Sequence, residues 1–211
     1  LSQLCSLAGR TCSSDVYNYS PGIDFFVRWV ERLLDVSMDG DTLAVGSPNN
    51  DATASNAGAV YIYTRVGGIW SLEQKIQANN PESGDSFGHA ISLSGDDLAV
   101  GAHYQDIKGS NSGAAYVFTR TGTTWTEQQF IYAEDGASDD WFGWSASISG
   151  NTLAIGAYYD DDKGGDSGSA YIYTREGDTW SLEQKLTAFD GASSDWYGYR
   201  VAVSGETLEV G

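Results

Sequence analysis

A unit of 55 residues recurs along this chain without an insertion or a deletion, and this regularity constrains the fold more than any other feature. Complete units cover residues 36–90, 91–145 and 146–200, and a further unit begins at residue 201 and runs to residue 211. Three columns of the repeat are marked by Gly40, Gly95, Gly150 and Gly205, by Arg65, Arg120 and Arg175, and by Trp70, Trp125 and Trp180. Self-similarity at such a period is typical of solenoids and propellers, in which each repeat is one supersecondary unit.

Each unit contains four short segments with the composition of β-strands. In the second unit they are predicted at residues 89–93, 98–102, 115–119 and 125–132. A Ser-Gly-Asp turn joins the first two segments, as in a tight hairpin, and an Arg-x-Gly-x-x-Trp stretch joins the last two. Four short antiparallel strands per repeat is the pattern of a propeller blade. The sequence therefore predicts an all-β protein made of four-stranded β-propeller blades, with about three and a half blades visible.

The blade count leaves two architectures open. In the first, the ring is partial and is completed by more of a longer protein or by other copies. In the second, residues 1–19 supply the two strands missing from the last unit and close a four-bladed propeller. We favour the partial ring, because stacked repeats with an unpaired end need a cap or a neighbour.

The N-terminal segment, residues 1–35, departs from the repeat, although it can be aligned as a degenerate half blade. Cys5 and Cys12 lie close together in it, and they either close a small disulfide loop in an oxidising compartment or remain free thiols. The chain has no apolar stretch of 18 residues, so we expect no membrane-spanning helix. No signal peptide is recognisable at residues 1–10.

Three strings recur in register: Phe87-Gly88, Leu-Ala-Val-Gly-Ala at residues 98–102, and Gly-Ala-Ala-Tyr-Val-Phe at residues 113–118. They resemble the FG-GAP repeats of integrin-α-type propellers, over about residues 36–211. The resemblance implies a secreted or cell-surface module for binding or adhesion, without catalytic activity. It also admits a structural repeat unit of an extracellular filament or sheath, or a lectin-like accessory domain of a larger protein. Some similar propellers bind calcium or sugars.

The charge is strongly negative, with 29 Asp and Glu against 11 Lys and Arg and a net charge of −18. Such a surface repels phosphate backbones, so we expect no nucleic-acid partner. Much of the acid lies in the loops between the second and third strands and in the links between units, which share one face of an up-and-down blade. This acidic loop face suits a protein or glycan ligand, and self-association is a further expectation; solubility alone is the simpler explanation of the charge.

Calcium is the one cofactor that the loops suggest. The integrin-type calcium loop lies between the first two strands, and here that connection is only Ser149-Gly150-Asn151, too short to surround a cation that needs six to eight oxygens. Candidate oxygen ligands are instead Asp106, Asn111, Asp160, Asp161, Asp162 and Asp166 in the loops after the second strands. The favoured alternative is that Asp and Asn shape these turns by accepting backbone N–H groups.

The same face carries aromatic residues beside carboxylates, a combination that suits the apolar faces and hydroxyls of sugar rings. Candidate ligand-binding residues are Tyr104, Tyr158, Tyr159, Asp140 and Asp195. For Trp141 and Trp196 we favour packing between blades over ligand contact. No catalytic set stands out, and His89 and His103 have no metal-ligand spacing.

Overall fold

The computed structural model describes residues 35–211, which form fourteen strands with antiparallel pairing. Blade 1 contains β1 (Val36–Asp39), β2 (Thr42–Ser47), β3 (Ala59–Val66) and β4 (Ile69–Ile76). Blade 2 contains β5 (Ala90–Ser94), β6 (Asp97–Ala102), β7 (Ala114–Thr121) and β8 (Thr124–Ile131). Blade 3 contains β9 (Ser145–Ser149), β10 (Thr152–Ala157), β11 (Ser169–Glu176) and β12 (Thr179–Leu186). A half blade contains β13 (Val201–Ser204) and β14 (Thr207–Val210).

In each complete blade the strands pair in sequence order, which confirms the predicted four-stranded antiparallel blades. The half blade contains the first two strands of the same pattern. Both Cys5 and Cys12, and the segment aligned as a degenerate half blade up to residue 34, lie outside the described residues.

The second strand of a blade is the most enclosed, and β6 is buried at every position. After Asp97, its sequence Leu-Ala-Val-Gly-Ala is apolar without strict alternation because blades cover both of its faces. The third strand pairs with the fourth across a register shift that recurs at the same place in all three blades. The repeated sequence therefore determines the position of this register shift as well as the positions of the strands.

The aromatic residue of each Phe-Gly pair packs between blades. Phe87, in the link from blade 1 to blade 2, lies edge-to-face against Tyr116 at 5.2 Å and Phe118 at 5.9 Å between ring centroids. Phe142 makes the same contacts with Tyr171 and Tyr173 of blade 3. Edge-to-face aromatic pairs stabilise a core beyond the area they bury.

Glycine is required where the link passes the second strand. Gly88 has φ +90, and a Cβ atom on Gly46 would overlap the Gly88 carbonyl oxygen. Gly101 and Gly143 repeat this contact at the next junction. A side chain at these columns would force successive blades apart, which explains why the column admits only glycine.

Serines on the innermost strands join each blade to the next. Ser37 Oγ accepts the Leu93 N–H at 2.9 Å, and Ser92 Oγ accepts the Ile148 N–H at 3.1 Å. This inner-strand ladder continues from Ser147 to the half blade. It satisfies backbone donors on a strand edge that pairs with no other strand.

A glutamine on the fourth strand joins the outer parts of neighbouring blades. Gln74 donates to the Trp125 carbonyl oxygen at 2.9 Å and accepts the Trp125 N–H at 2.7 Å. Gln129 makes the same two bonds with Trp180. Because both bonds are to backbone, this contact recognises a strand rather than a particular side chain.

Candidate ligand-binding face

The loop face is defined here as the loops between second and third strands, residues 48–58, 103–113 and 158–168, with the links 77–89, 132–144 and 187–200. Each loop contacts the link that follows it, and the Phe142 N–H donates to the Ser112 carbonyl oxygen at 3.0 Å. The same bond joins Tyr197 to Ser167 at 3.0 Å. Loop and link are thus held together in every complete blade, as the strand order predicts.

The two recurring aspartate columns shape the turns. In the loops, Asp106 Oδ1 accepts the Asn111 N–H at 2.7 Å, and Asp161 Oδ1 accepts the Asp166 N–H at 2.7 Å. In the links, Asp140 Oδ2 accepts the Ala137 N–H at 2.7 Å. Asp195 makes the equivalent bond at 2.6 Å, so turn formation accounts for one oxygen of each of these side chains.

Asp160, which is buried, and Asp162, which is half exposed, lie in an ion cluster around Lys185, a residue that the sequence did not single out. Lys185 Nζ lies 2.9 Å from Asp160, 2.8 Å from Asp135 and 2.7 Å from Asp162. Tyr171 donates its hydroxyl to Asp160 Oδ2 at 2.9 Å. Within residues 35–211, no group of three or more His, Cys, Asp or Glu side chains is placed to hold a metal ion.

One lysine serves three carboxylates in this cluster. Burial alone would lower the pKa of Lys185, but its bonds to Asp135, Asp162 and Asp160 outweigh burial and raise that pKa above its usual value. Burial and the nearby charges of Asp160 and Asp135 raise the pKa of Tyr171. Lys185 therefore stays charged and Tyr171 stays neutral at ordinary pH.

Aromatic rings on the loop face form a continuous group that we name the aromatic arc. Its members are His89, His103, Tyr104, Trp141, Trp144, Tyr158, Tyr159, Trp196 and Tyr199. Trp141 stacks on Trp144 with centroids 5.5 Å apart and lies 4.5 Å from Tyr159. Tyr158 lies 5.1 Å from Tyr199, so the arc crosses from blade 2 to the end of blade 3.

The arc brings together three of the five predicted ligand-binding residues, Tyr104, Tyr158 and Tyr159. Trp141 packs between the loops of blades 2 and 3, as favoured from the sequence. Trp196 contacts Tyr158 but is 45% exposed, and Tyr199 is 41% exposed. The exposed rings therefore lie at the blade 3 end of the arc.

The two predicted carboxylates differ in environment. Asp140 is buried, and this burial raises its pKa to about 6 against the favourable bond from Ala137. Asp195, one repeat later, is exposed. Only Asp195 can meet a ligand in solution without a change of structure.

Blade 1 lacks the loop rings of the arc, although the ends of its loop make the same backbone bonds as in blades 2 and 3. The loops differ at their centre, where Ala54 stands in the column of Gly109 and Gly164, which have φ +148 and +143. The columns of Tyr158, Tyr159 and Trp196 hold Pro48, Asn49 and Ser86 in blade 1. Ser86 has φ 58, as do Trp141 and Trp196. The loop conformation therefore does not require aromatic side chains, and a left-handed conformation is uncommon for a bulky residue such as Trp.

Two polar atoms inside the arc are unsatisfied. His103 Nδ1 and Trp141 Nε1 are buried with no hydrogen-bond partner in residues 35–211. Burial and the neighbouring His89 lower the pKa of His103 to about 3, so this ring is neutral. Buried donors and acceptors without partners are rare and are a cost to the folded state.

A cavity of about 670 Å³ lies beside the arc, among the starts of the inner strands. His89, Trp144 and Tyr199 line it together with Asp35 and Arg200. This volume is within the range of small-molecule pockets in proteins. Sequence analysis missed His89 here, although its place in the column of Trp144 and Tyr199 was a usable signal.

Comparison with known proteins agrees with this architecture. A family model described as FG-GAP repeat matches residues 34–63, 70–118, 125–173 and 180–211. The chain belongs to the FG-GAP repeat family. Each internal match of this FG-GAP protein runs from the fourth strand of one blade to the third strand of the next.

Among solved structures, the FG-GAP chain is similar to the crystal structure of Saccharomyces cerevisiae Sqt1, with a TM-score of 0.49 and 14% identity. The match covers 74% of this chain and 36% of that one. No curated protein matches. No helix in residues 35–211 is long and apolar enough to cross a membrane.

Proposed function

We propose that this FG-GAP protein is a non-catalytic binding module, secreted or displayed at the cell surface, that holds its ligand on the aromatic arc. The observation that carries the proposal is the contrast between blades. Blade 1 forms the same backbone bonds around these columns with Pro48, Asn49 and Ser86, whereas blades 2 and 3 place aromatic rings there. Side chains that the fold does not need are candidates for function.

A glycan is the ligand class that this arrangement supports best. The exposed rings of Trp196 and Tyr199 offer flat apolar surfaces, and Asp195 next to Trp196 offers hydrogen-bond acceptors. Sugar rings present apolar faces for stacking and hydroxyls for such acceptors. Trp and Tyr are also enriched in protein interfaces, so a protein ligand is the other outcome to be distinguished.

The test is a titration of the protein with a panel of neutral oligosaccharides, in which binding is measured by tryptophan fluorescence and by calorimetry. The variants Trp196→Ser and Tyr159→Asn install the residues of blade 1, and we expect each to weaken binding at least about tenfold, or about 1.4 kcal/mol. Val66→Ser, on an exposed turn of the opposite face, is the control that keeps binding. Absence of sugar binding, or equal binding by all variants, would contradict the glycan proposal.

Family membership supports the location, since FG-GAP repeats are typically extracellular. Detection of the protein by antibody on intact cells, or in the culture medium of its source, tests this part of the proposal. Retention inside intact cells would contradict it.

A structural unit of an extracellular filament is the second candidate function. It is favoured by the equivalence of the blade junctions, since Gly46 with Gly88 and Gly101 with Gly143 make the same close contact and suit repetitive stacking. Sedimentation across a concentration series separates the two functions. A monomer that binds sugar at all concentrations contradicts the filament, whereas concentration-dependent polymers support it.

Calcium binding by the loop of residues 160–166 stays a prediction. Asp161 keeps one carboxylate oxygen outside the turn bond, and the loop contains further carboxylates. Melting in the presence of millimolar Ca²⁺ tests it. A rise in melting temperature that is lost in Asp161→Ala would support calcium, and no rise would leave these residues as turn formers.

A further inference from the structure

Two unpartnered polar atoms lie together at the blade 2 end of the aromatic arc. His103 is 2% exposed, and its Nδ1 atom has no hydrogen-bond partner in residues 35–211. Trp141 is half-buried, but its Nε1 atom is buried and has no partner in that part of the chain either, so the N–H edge of the ring faces inward. The two ring centroids are 5.4 Å apart. Buried groups of this kind are paired in most folded proteins, so an unpaired couple in one place points to a partner from outside the chain.

The repeat itself does not require this pair. The column of His103 holds Pro48 in blade 1 and Tyr158 in blade 3. The column of Trp141 holds Ser86 in blade 1 and, in blade 3, a tryptophan that is 45% exposed. An imidazole packed on a buried indole N–H is thus a property of blade 2 alone among the described blades. Side chains that the fold does not need are candidates for function.

The surroundings of the pair favour an uncharged hydrogen-bonding group. The ring contacts of His103 within residues 35–211 are all aromatic, with His89 at 4.1 Å, Tyr104 at 3.9 Å and Trp144 at 5.0 Å besides Trp141. A charged group among these rings would lose its hydration without a counterion. A hydroxyl fits, because its oxygen accepts from the indole N–H while its hydrogen is donated to the Nδ1 atom of a neutral imidazole.

The Trp141 ring controls access to His103. It packs on His103 and is itself partly exposed, and it stacks on Trp144 at 5.5 Å and contacts Tyr159 at 4.5 Å. Its φ angle of 58 is left-handed, which is uncommon for a bulky residue. Ser86 has the same angle, so the link keeps this backbone in blade 1 without a ring at this column. Outward rotation of the Trp141 side chain therefore uncovers His103 Nδ1 without a rearrangement of the link.

We propose that His103 and Trp141 form a hydroxyl-binding subsite of the aromatic arc, which opens when the Trp141 ring rotates outward and then holds one hydroxyl group of a neutral ligand between His103 Nδ1 and Trp141 Nε1. The inference rests on the proposed binding function and names the chemical group that the blade 2 end of the arc recognises. The subsite selects for that hydroxyl, because a ligand that lacks it leaves both nitrogen atoms buried and unpaired.

Hydrogen exchange of the indole N–H groups tests the opening without a ligand. Trp125 and Trp180 are internal controls, because their rings are buried and their indole N–H groups donate to Glu73 and Gln128. We expect the Trp141 N–H, followed by heteronuclear NMR, to exchange at least about tenfold faster than both controls. Equal rates would overturn the outward rotation and, with it, the subsite.

Titration of the labelled protein with methanol tests the chemistry of the subsite. We expect the Trp141 N–H signal to shift to saturation, and His103→Phe to abolish the shift because phenylalanine keeps a ring but not the nitrogen. Methylammonium, of similar size but charged, is the matched control probe and should leave the signal unchanged. An equal response to both probes, a response that persists in His103→Phe, or no response would overturn the proposal. So would a bound water at the Trp141 N–H that methanol does not displace, since the site would then hold structural water only.

Trp141→Phe is the second variant, should His103→Phe not fold. Each variant removes one buried unpaired polar atom, and we expect a melting temperature equal to or above that of the parent protein. With an oligosaccharide that binds the arc, each should weaken binding at least about tenfold, whereas Val66→Ser should not.

The outcomes separate the subsite from the function on which it rests. Binding that is weakened by Trp196→Ser but kept in both His103→Phe and Trp141→Phe would retain the arc and overturn the subsite. A methanol response without binding of any oligosaccharide would retain the subsite and contradict the glycan proposal.

Discussion

The loops of blade 1 and blade 3 are closed by the same backbone bond but carry different side chains. Gly58 donates to the Asn50 carbonyl oxygen at 3.1 Å, and Gly168 donates to that of Asp160 at 2.8 Å. At the equivalent columns, blade 1 has an uncharged Asn50 and blade 3 has a buried Asp160 that forms an ion pair with Lys185. The backbone of the loop is therefore a scaffold, and the charge and aromatic content that it carries are separate additions.

The largest expected effect comes from removing the lysine at the centre of the blade 3 ion cluster. Lys185→Met leaves the buried Asp160 carboxylate without its cation, and we expect a loss of about 3–5 kcal/mol in the free energy of unfolding, measured with urea. The double variant Asp160→Gln with Lys185→Phe installs the pair found in blade 2, Gln105 and Phe130, and should recover most of that loss. If the single variant lost less than about 1 kcal/mol, the cluster would not be a stabilising unit.

The buried Asp140 and the exposed Asp195 allow the effect of burial on the pH dependence of stability to be tested. The pKa of Asp140 is raised to about 6 in the folded state, so the folded protein binds this proton more tightly than the unfolded chain does. The contribution of Asp140 to stability is therefore greatest below about pH 4 and is lost as pH rises to about 6. Asp140→Asn should remove that dependence and stabilise the protein at pH 7 by up to about 3 kcal/mol, since one pKa unit corresponds to about 1.4 kcal/mol.

The matched control for Asp140 is Asp195→Asn, because Asp195 makes the same turn bond from an exposed position. We expect Asp195→Asn to change the free energy of unfolding at pH 7 less than Asp140→Asn does, because the Asp195 side chain stays in contact with water. Equal effects of the two substitutions in a series of thermal melts would show that burial of Asp140 is not the cause.

The inner-strand ladder should contribute equally to stability at each blade junction, in contrast to the loops, whose side chains differ between blades. Ser37→Ala, Ser92→Ala and Ser147→Ala each leave one backbone N–H of the next blade unpaired, and we expect about 1–2 kcal/mol of destabilisation from each. Equilibrium unfolding measures the cost. Markedly unequal losses of stability would mean that these hydrogen bonds contribute differently at the three junctions, although their geometry is the same.

The smallest effect is expected for the turn-forming aspartates. Asp51→Ala and Asp161→Ala each remove one acceptor for a backbone N–H in an exposed loop, at a cost of about 1 kcal/mol or less. Similar values in thermal melts would confirm a shared structural role. A much larger cost at Asp161 would indicate a further role for that carboxylate in blade 3.

Strand positions were predictable because they depend on local pattern and exact recurrence. In blade 2 the predicted segments agree with β5–β8 to within two residues at each end. The shared loop face also followed from strand order. The contacts of long side chains could not be predicted in this way. Lys185 lies on β12 and contacts Asp135 in the link before blade 3, and no spacing in the sequence indicates that contact. The hydrogen bond from the Ile148 N–H to Ser92 Oγ could not be predicted either, because it depends on how neighbouring blades stack.

The glycine contacts between links and second strands have a consequence for how such genes can change. Because Gly46 and Gly88, and then Gly101 and Gly143, meet in the same way, every junction accepts the same neighbour. Duplication of a whole repeat therefore inserts a unit that already fits both sides, whereas gain or loss of a few codons within a strand moves a side chain into a glycine column. Length variation among descendants of such a gene should come in whole repeats or at the exposed turns around Gly67, Gly122 and Gly177.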